Sequence, residues 1–342
     1  MTIQKALALV ASGENLERTA MQSVMQSIMT GEATDAQIGG LLIALRIKGE
    51  TIDEITAAAE VMASLASHVE LDLPNLIDIV GTGGDGTSTF NVSTAASFVA
   101  AGAGANVAKH GNRSVSSQSG SADLLEQAGA NLDLSAAQVA RVIETAGVGF
   151  MFAPMHHSAM KHAIGPRKEM AIRTIFNVLG PLTNPAKVKR QVVGVFDLEL
   201  TNTLANVLKH LGSEHSMVVH SDDGMDEISI CAATYVSELK DGELSNYKIS
   251  PTDFGLKIAD INDIVVADSA ASLAMIDDVF TGNKSAARDI VILNAGAGIY
   301  VSGITDSLAS GIELAGDSID SGKASAARDA YVRATQGQAN NG

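Results

Sequence analysis

The sequence predicts an α/β protein in which a small all-helical domain precedes a large α/β domain built on a central, mostly parallel sheet. Three observations predict it. Residues 1–67 carry helix-start chemistry twice, with apolar residues at helical spacing. From Leu76 short branched-apolar runs alternate with helical stretches, as parallel strands joined by helical crossovers do. The first of those runs, Leu76-Ile-Asp-Ile-Val80, ends in Gly81-Thr-Gly-Gly-Asp-Gly86, four glycines in six positions where a strand hands over to a helix.

The totals set bounds. At 342 residues there is room for two cores, and 46% hydrophobic content without Trp suits packing by Ala, Val, Leu and Ile. A net charge of −16 excludes general binding to nucleic acid or an anionic membrane, which needs a basic face. An anionic ligand must therefore meet a local group of bases. The single cysteine, Cys231, excludes a disulfide framework and a thiol-ligated zinc site, and fits a reducing compartment. Ala6–Val10 is too short for a signal peptide's apolar core, and no run reaches membrane-spanning length. A soluble cytoplasmic protein is expected.

In the helical region Asn15 is a candidate cap before Leu16–Met29, with Gly31 as a stop. Thr34-x-x-Gln37 and Thr51-x-x-Glu54 have the capping-box form and open helices ending near Lys48 and Ala66. Their apolar stripes (Met21, Val24, Met25, Ile28; Ile38, Leu41, Leu42, Leu45) read as core, with some of the face free for a subunit contact. Leu71-Asp-Leu-Pro74 reads as a linker. Strands are then expected near 76–80, 106–109, 148–152, 191–196 and 215–220, and helices near 93–103, 120–128, 136–146 and 199–211. A helical insertion near 155–179 interrupts the alternation; Pro166 places Arg167 in a helix's first turn. Residues 228–250 read as antiparallel strands, Ile228–Ala232 among them, with a hairpin turn at Asp241-Gly242. The tail from Asp268 is helical, with one more strand at Asp289–Leu293.

The glycine loop matches two nucleotide patterns and fits neither. G-x-G-x-x-G wants an acid about 20 residues on, but the next strand, Asn106-Val-Ala-Lys-His110, ends in bases. A P-loop wants Lys-Ser/Thr where Thr87-Ser88 stands. A plain tight turn is the bland alternative. Bare N–H groups ahead of the helix over Ala95–Ala101 make an anion site, most often for phosphate. Lys109-His-Gly-Asn-Arg-Ser-Val-Ser-Ser117 follows the second strand, beside that loop if the two strands are neighbours, and is dense in donors. Ser121 opens another helix at the same edge. Asp226-Glu227 lies in an acidic turn after a later strand; adjacent carboxylates suit Mg²⁺ bridged to substrate phosphates, and a solvated acidic turn is the alternative. A first-turn Arg167 opposes the helix dipole, which makes sense if it faces a carboxylate, whether a substrate's or Glu169. His156 and His157 could be core or surface imidazoles.

Gly81–Asp85, Asn91-Val-Ser-Thr94, Lys109–Ser117, Gly165-Pro-Arg-Lys168, Arg173-Thr-Ile-Phe-Asn-Val-Leu-Gly-Pro-Leu-Thr-Asn-Pro185 and Asp226-Glu227 together resemble the anthranilate phosphoribosyltransferases, in order and spacing along nearly the whole chain. The resemblance implies a nucleoside phosphorylase/phosphoribosyltransferase-like fold and a step of tryptophan synthesis. In it, anthranilate and phosphoribosyl pyrophosphate give N-(5-phosphoribosyl)anthranilate and pyrophosphate. It implies donor contacts at Gly81, Gly84, Asp85, Thr89, Asn91, Val92, Ser93, Thr94, Lys109, His110, Gly111, Asn112, Arg113, Ser114, Val115, Ser116, Ser117 and Ser121. Mg²⁺ ligands are implied at Ser93, Asp226 and Glu227, and anthranilate contacts at Gly81, Asn112 and Arg167. It further implies a helical domain of residues 1–70 and 165–187 that mediates a homodimer, and a donor-binding α/β domain of 71–164 and 188–342. Ser158, where proline is common, and the extra glycine in Asn294-Ala-Gly-Ala-Gly298 depart from the pattern in ways that touch packing, not the reaction.

The expected chemistry is charge stabilisation and positioning. Metal and bases stabilise departing pyrophosphate while C1 becomes oxocarbenium-like. Lys109 and Arg167 are the expected catalytic side chains, Arg167 by orientation. An aromatic amine is already neutral, so no histidine is needed as base. Two rivals stand: a pyrimidine nucleoside phosphorylase of the same fold, which gives no reason for a metal–carboxylate pair, and a nucleic-acid-binding relative, which would require a basic groove.

Overall fold

A computed structural model describes residues 1–113 and 120–339. Along the chain, α1 (Ile3–Ala11), α2 (Arg18–Met29), α3 (Asp35–Lys48) and α4 (Ile52–Ser64) precede β1 (Leu76–Gly81), α5 (Val92–Gly102), β2 (Asn106–Gly111), α6 (Ser121–Gln127) and α7 (Ala136–Ala146). Then come β3 (Val148–Phe152), α8 (Ala153–His156), α9 (Lys161–Met170), α10 (Phe176–Leu182), β4 (Arg190–Gly194), α11 (Glu199–His210) and β5 (His215–Ser221). The hairpin β6 (Thr234–Lys240) and β7 (Glu243–Ile249) leads to α12 (Ser269–Phe280), α13 (Ala286–Ser302), α14 (Leu308–Asp320) and α15 (Lys323–Ala339).

Among the described residues seven strands form one sheet, ordered β3-β2-β1-β4-β5-β6-β7. β1 to β5 are parallel, and β6 and β7 join antiparallel. The Asp241-Gly242 turn is as expected: both residues have positive φ, +51° and +81°, which lets two residues join strands of right-handed twist. Both capping boxes form, at Thr34/Gln37 and Thr51/Glu54. Glu54 does more than cap. Fully buried, it accepts the Leu16 N–H at 2.8 Å and the Lys48 ammonium at 2.9 Å. That is why Asn15 caps nothing: Leu16 is pulled into the core, α2 starts at Arg18 with Glu17 as its cap residue, and Asn15 instead accepts from Lys48.

Side-chain alternation splits β1 between two cores. Ile77 and Ile79 belong to the α/β core with α5 and α13; Val80 joins Val193, Val195 and Val218 under the helical bundle. The bundle's core also takes in Ile175, Phe176, Val178 and Leu179, and α9 packs on α2 and α3 while α10 packs on α4. The helical insertion thus returns to the N-terminal helices.

Three further expectations need correction. Asp289–Leu293 is no strand; it lies inside α13, capped by Ser285. Its run of β-branched residues reflects burial on all sides, since α13 is enclosed between the sheet and α14 and period alone cannot separate such a helix from a core strand. Gly296 and Gly298 belong to that enclosure: a Cβ on them would lie 2.5 Å from Ile312 and 2.5 Å from Ile79. Ile228–Ala232 is an irregular, bent segment, because the Asn294 amide takes both the N–H and C=O of Ile228, at 2.9 Å each, and Ser229 accepts the Cys231 N–H. Finally, α9 runs straight through Pro166. Gly165 offers no Cβ to clash with the proline ring, so Arg167 sits in the last turn, where a cation suits the dipole.

Asn294→Ala leaves two buried backbone groups of Ile228 unpaired and is expected to cost about 3 kcal/mol in chemical denaturation; unchanged stability would show that the clamp is not needed.

Candidate functional site

The strand order reverses between the parallel neighbours β1 and β4, and Gly81 pairs with Gly194 across that switch. In open α/β sheets ligands bind at the carboxyl ends of strands where the order reverses. Here both strand ends are glycine for a packing reason. A Cβ on Gly81 would lie 2.4 Å from Asp226 Oδ2, and one on Gly194 only 1.5 Å from the Asp226 carbonyl oxygen. Asp226 therefore lies flat over the switch point, and its carboxylate accepts the Gly83 N–H at 2.6 Å.

The loop that follows is shaped to bare its amides. Gly83, Gly84 and Gly86 have φ of +68°, +76° and +79°. The Thr82 N–H is taken by Gly194, that of Gly83 by Asp226 and that of Thr87 by Asp85. Among the described residues the N–H groups of Gly84, Asp85 and Gly86 find no acceptor, leaving a concave set of donors fit for an anion. Downstream, Thr89 bridges to Val265, Asn91 is held by the Ser272 hydroxyl, and α5 opens with Val92, Ser93 and Thr94.

Lys109 and Glu227 meet at that helix start. The Ser93 N–H donates to Glu227 Oε1 at 3.1 Å, and Lys109 Nζ donates to Ser93 Oγ at 3.1 Å and to the Ile79 carbonyl at 2.6 Å. Burial, and secondarily Asp85, pushes the Asp226 carboxyl up to about 7. Burial and then Asp226 push Glu227 well above the usual carboxylate range. Burial also pulls Lys109 down, against Asp78, Glu227 and Asp226, which hold it charged. Among the described residues no three His, Cys, Asp or Glu side chains could enclose a metal by themselves.

The structure reshapes the expected basic segment. His110 is buried; its N–H donates to Asp78 Oδ1 at 3.1 Å, and its ring lies 5.1 Å from that of His157. Burial pushes His110 down to about 3 and His157 down to about 4, so both are neutral at pH 7. His156 is likewise buried and faces the Ser67 carbonyl at 2.9 Å. Arg113 is paired with Asp123 and Glu126 of α6. Of the three potential cations, Lys109 is the one at the α5 start beside the acid pair. Gly111 is required by Phe150, 2.6 Å from where its Cβ would be, and Asn112 accepts the Ala122 N–H beside Ser121. Ser114, Val115, Ser116 and Ser117 lie outside the described residues. Arg167 stacks over Phe176 at 5.3 Å and makes no ion pair with Glu169.

Three further residues matter, and two left only a faint signal. Asp78, wholly buried in mid-strand, accepts from Asn184 Nδ2 at 2.7 Å and holds His110; a lone acid inside an apolar run demands such partners. Burial raises it to about 6. Asn184 and Arg173 lie in the long motif before β4, but nothing in their spacing states what they touch.

A glycosyl transferase family α/β-domain model matches residues 73–325, and a glycosyl transferase family helical-bundle model matches 4–66. An anthranilate phosphoribosyltransferase of Marinomonas sp. (strain MWYL1) is 62% identical over 326 residues, covering 95% of this chain and 94% of that one. This chain belongs to the anthranilate phosphoribosyltransferase family. The family member of Thioalkalivibrio sulfidiphilus is 58% identical over 95% of this chain and 96% of its own. Among solved anthranilate phosphoribosyltransferases, the Thermus thermophilus enzyme superposes with a TM-score of 0.92 at 39% identity, covering 97% of this chain and 99% of its own. The Saccharomyces cerevisiae enzyme in complex with PRPP and Mg does so at 0.89 and 26%, covering 98% of each chain.

For an anthranilate phosphoribosyltransferase with a switch-point carboxyl raised to about 7, the sign of the pH effect follows. The folded state binds more protons than the unfolded one, whose ordinary value is about 4. Stability from this group is present below about pH 4 and lost as pH rises to about 7. In metal-free protein, Asp226→Asn is expected to flatten the melting temperature between pH 5 and 8 and to raise it at pH 8; parallel curves would refute the assignment.

Proposed function

We propose that this chain transfers the phosphoribosyl group of phosphoribosyl pyrophosphate to the amine of anthranilate, giving N-(5-phosphoribosyl)anthranilate and pyrophosphate in tryptophan synthesis. The observation that carries the reading is the convergence of three unpaired loop N–H groups, the Lys109 ammonium, the buried Asp226 carboxyl and the half-buried Glu227 carboxyl at one switch point. Gly81, Gly84, Asp85, Thr89, the Asn91–Thr94 helix start, the segment 109–117 and Ser121 are proposed to hold the donor. Gly81, Asn112 and Arg167 are proposed to hold anthranilate.

The residues fit Mg²⁺. Asp226, Glu227 and the Ser93 hydroxyl are hard oxygen donors, and two adjacent carboxyls driven upward in pKa lack the positive charge that would keep both ionised. A set too sparse to enclose an ion alone suits Mg²⁺, which keeps waters and takes substrate phosphate oxygens. When bound, the ion supplies positive charge to the pyrophosphate. Lys109 adds a second positive charge, anchored on Ser93 Oγ and the Ile79 carbonyl, and the loop N–H groups fix the phosphates without reorganising. Arg167 is half-buried over Phe176, burial lowers its pKa, and among the described residues no acid opposes that shift. Such a guanidinium suits the anthranilate carboxylate, setting the neutral amine towards C1. His110 and His157, neutral at pH 7, add no charge to the site.

The helical domain is proposed to comprise residues 1–70 and 165–187, and to mediate a homodimer through the bundle, where Ile47 (81% exposed) and Ile172 are open apolar side chains. A cytoplasmic place fits the free Cys231.

Loss of anthranilate fluorescence on adding phosphoribosyl pyrophosphate and Mg²⁺ tests the reaction; no loss would overturn it. Arg167→Ala should raise KM for anthranilate at least about tenfold while changing that for the donor little; equal effects on both would remove Arg167 from the anthranilate site. Asp226→Asn or Glu227→Gln should shift the Mg²⁺ activation curve upward about tenfold, the loss of one charged ligand, and an unmoved titration would argue against the pair.

A further inference from the structure

Arg173 stands at a junction that no substrate contact explains. It lies in the break between α9, which ends where Ala171 takes φ +50°, and α10. Its guanidinium lies over the Phe196 ring, 4.1 Å from the centroid, and donates to the Gly84 carbonyl of the glycine loop. Its own carbonyl accepts from Arg46 of α3. Phe196 is itself tied to the loop, since its N–H donates to Thr82 Oγ1 at 3.3 Å. One side chain therefore joins the helical bundle, the end of β4 and the loop. Among the described residues it pairs with no carboxylate, although the chain carries 39 acidic residues.

We propose that Arg173 is a positioning residue that aims the donor loop. A trans peptide points its C=O and N–H in opposite directions. Holding the Gly84 carbonyl towards Arg173 therefore turns the Asp85 N–H away from it, into the set of unpaired donors. At φ +76° Gly84 has no side chain and no neighbouring strand to fix that peptide plane, so a flat, stacked guanidinium supplies the constraint. Because Arg46 grips the same residue, the loop's aim depends on where the helical bundle sits.

This inference rests on the reading of the loop as the pyrophosphate cradle. Its test is binding of pyrophosphate and of phosphoribosyl pyrophosphate, both with Mg²⁺, by calorimetry, alongside steady-state kinetics and melting temperature. Arg173 is exposed, so Arg173→Ala should fold with an unchanged melting temperature. It should weaken both ligands about tenfold, the size expected for one charge-assisted hydrogen bond, and raise KM for the donor more than it lowers kcat. Phe196→Leu, which removes the stack and leaves Arg173, should give a smaller loss in the same direction, and Arg173→Lys should recover part of it. Affinities in Arg173→Ala within about twofold of wild type overturn the role, as does a fall in kcat alone. Wild-type protein that binds neither ligand would instead overturn the reading of the loop.

Discussion

The site depends on one close fit, Asp226 laid across two glycines at the ends of β1 and β4. A Cβ at either position would collide with it, at 2.4 Å from Gly81 and 1.5 Å from Gly194. Because the fit is tight, the carboxylate can reach the Gly83 N–H, and that bond starts the left-handed course of the loop. The next residue, Glu227, then arrives at the Ser93 N–H, and Ile228 is gripped by Asn294 from α13. The acid pair is thus fixed from the strand ends below and from a buried helix behind.

Electrostatically the site is arranged by what is kept uncharged as much as by what is charged. A chain of net −16 has little positive charge to spare. Lys109 is buried among three acids that favour its charged form, whereas His110 and His157 are neutralised by burial. Asp78 shows how the two effects are linked. It lies within the field of Lys109 on one strand while its oxygens orient His110 and Asn184. Burial raises both carboxyls and repulsion from neighbouring acids adds to it, so a positive ion arriving near Asp226 and Glu227 would favour their charged forms.

The helical bundle is part of this arrangement. Its core is continuous with Val80, Val193 and Val218 on one face of the sheet, and the segment that returns to it carries both Arg167 and Arg173. A bundle packed on the sheet's centre brings side chains from residues 161–182 to the carboxyl edge of strands that are distant in sequence.

What the sequence determined by itself is local. Glycine-rich punctuation after a branched-apolar run, two capping boxes, the Asp-Gly hairpin and the alternation of strand and helix all act over a few residues, and they placed the sheet, the loop and the acid pair. Where burial competes with local pattern, the sequence misleads. Asp289–Leu293 looks like a strand because an enclosed helix and a core strand share a composition, and Pro166 looks like a helix start because the release provided by Gly165 is easily overlooked. Only the tertiary structure decided that Arg113 pairs with α6, that the histidines lose their charge, and that Asn294 and Arg173 brace the site. The reason is physical: desolvation, like a contact between residues 89 or 66 positions apart, is set by what packs around a group, and that is written nowhere in its own neighbourhood of the chain.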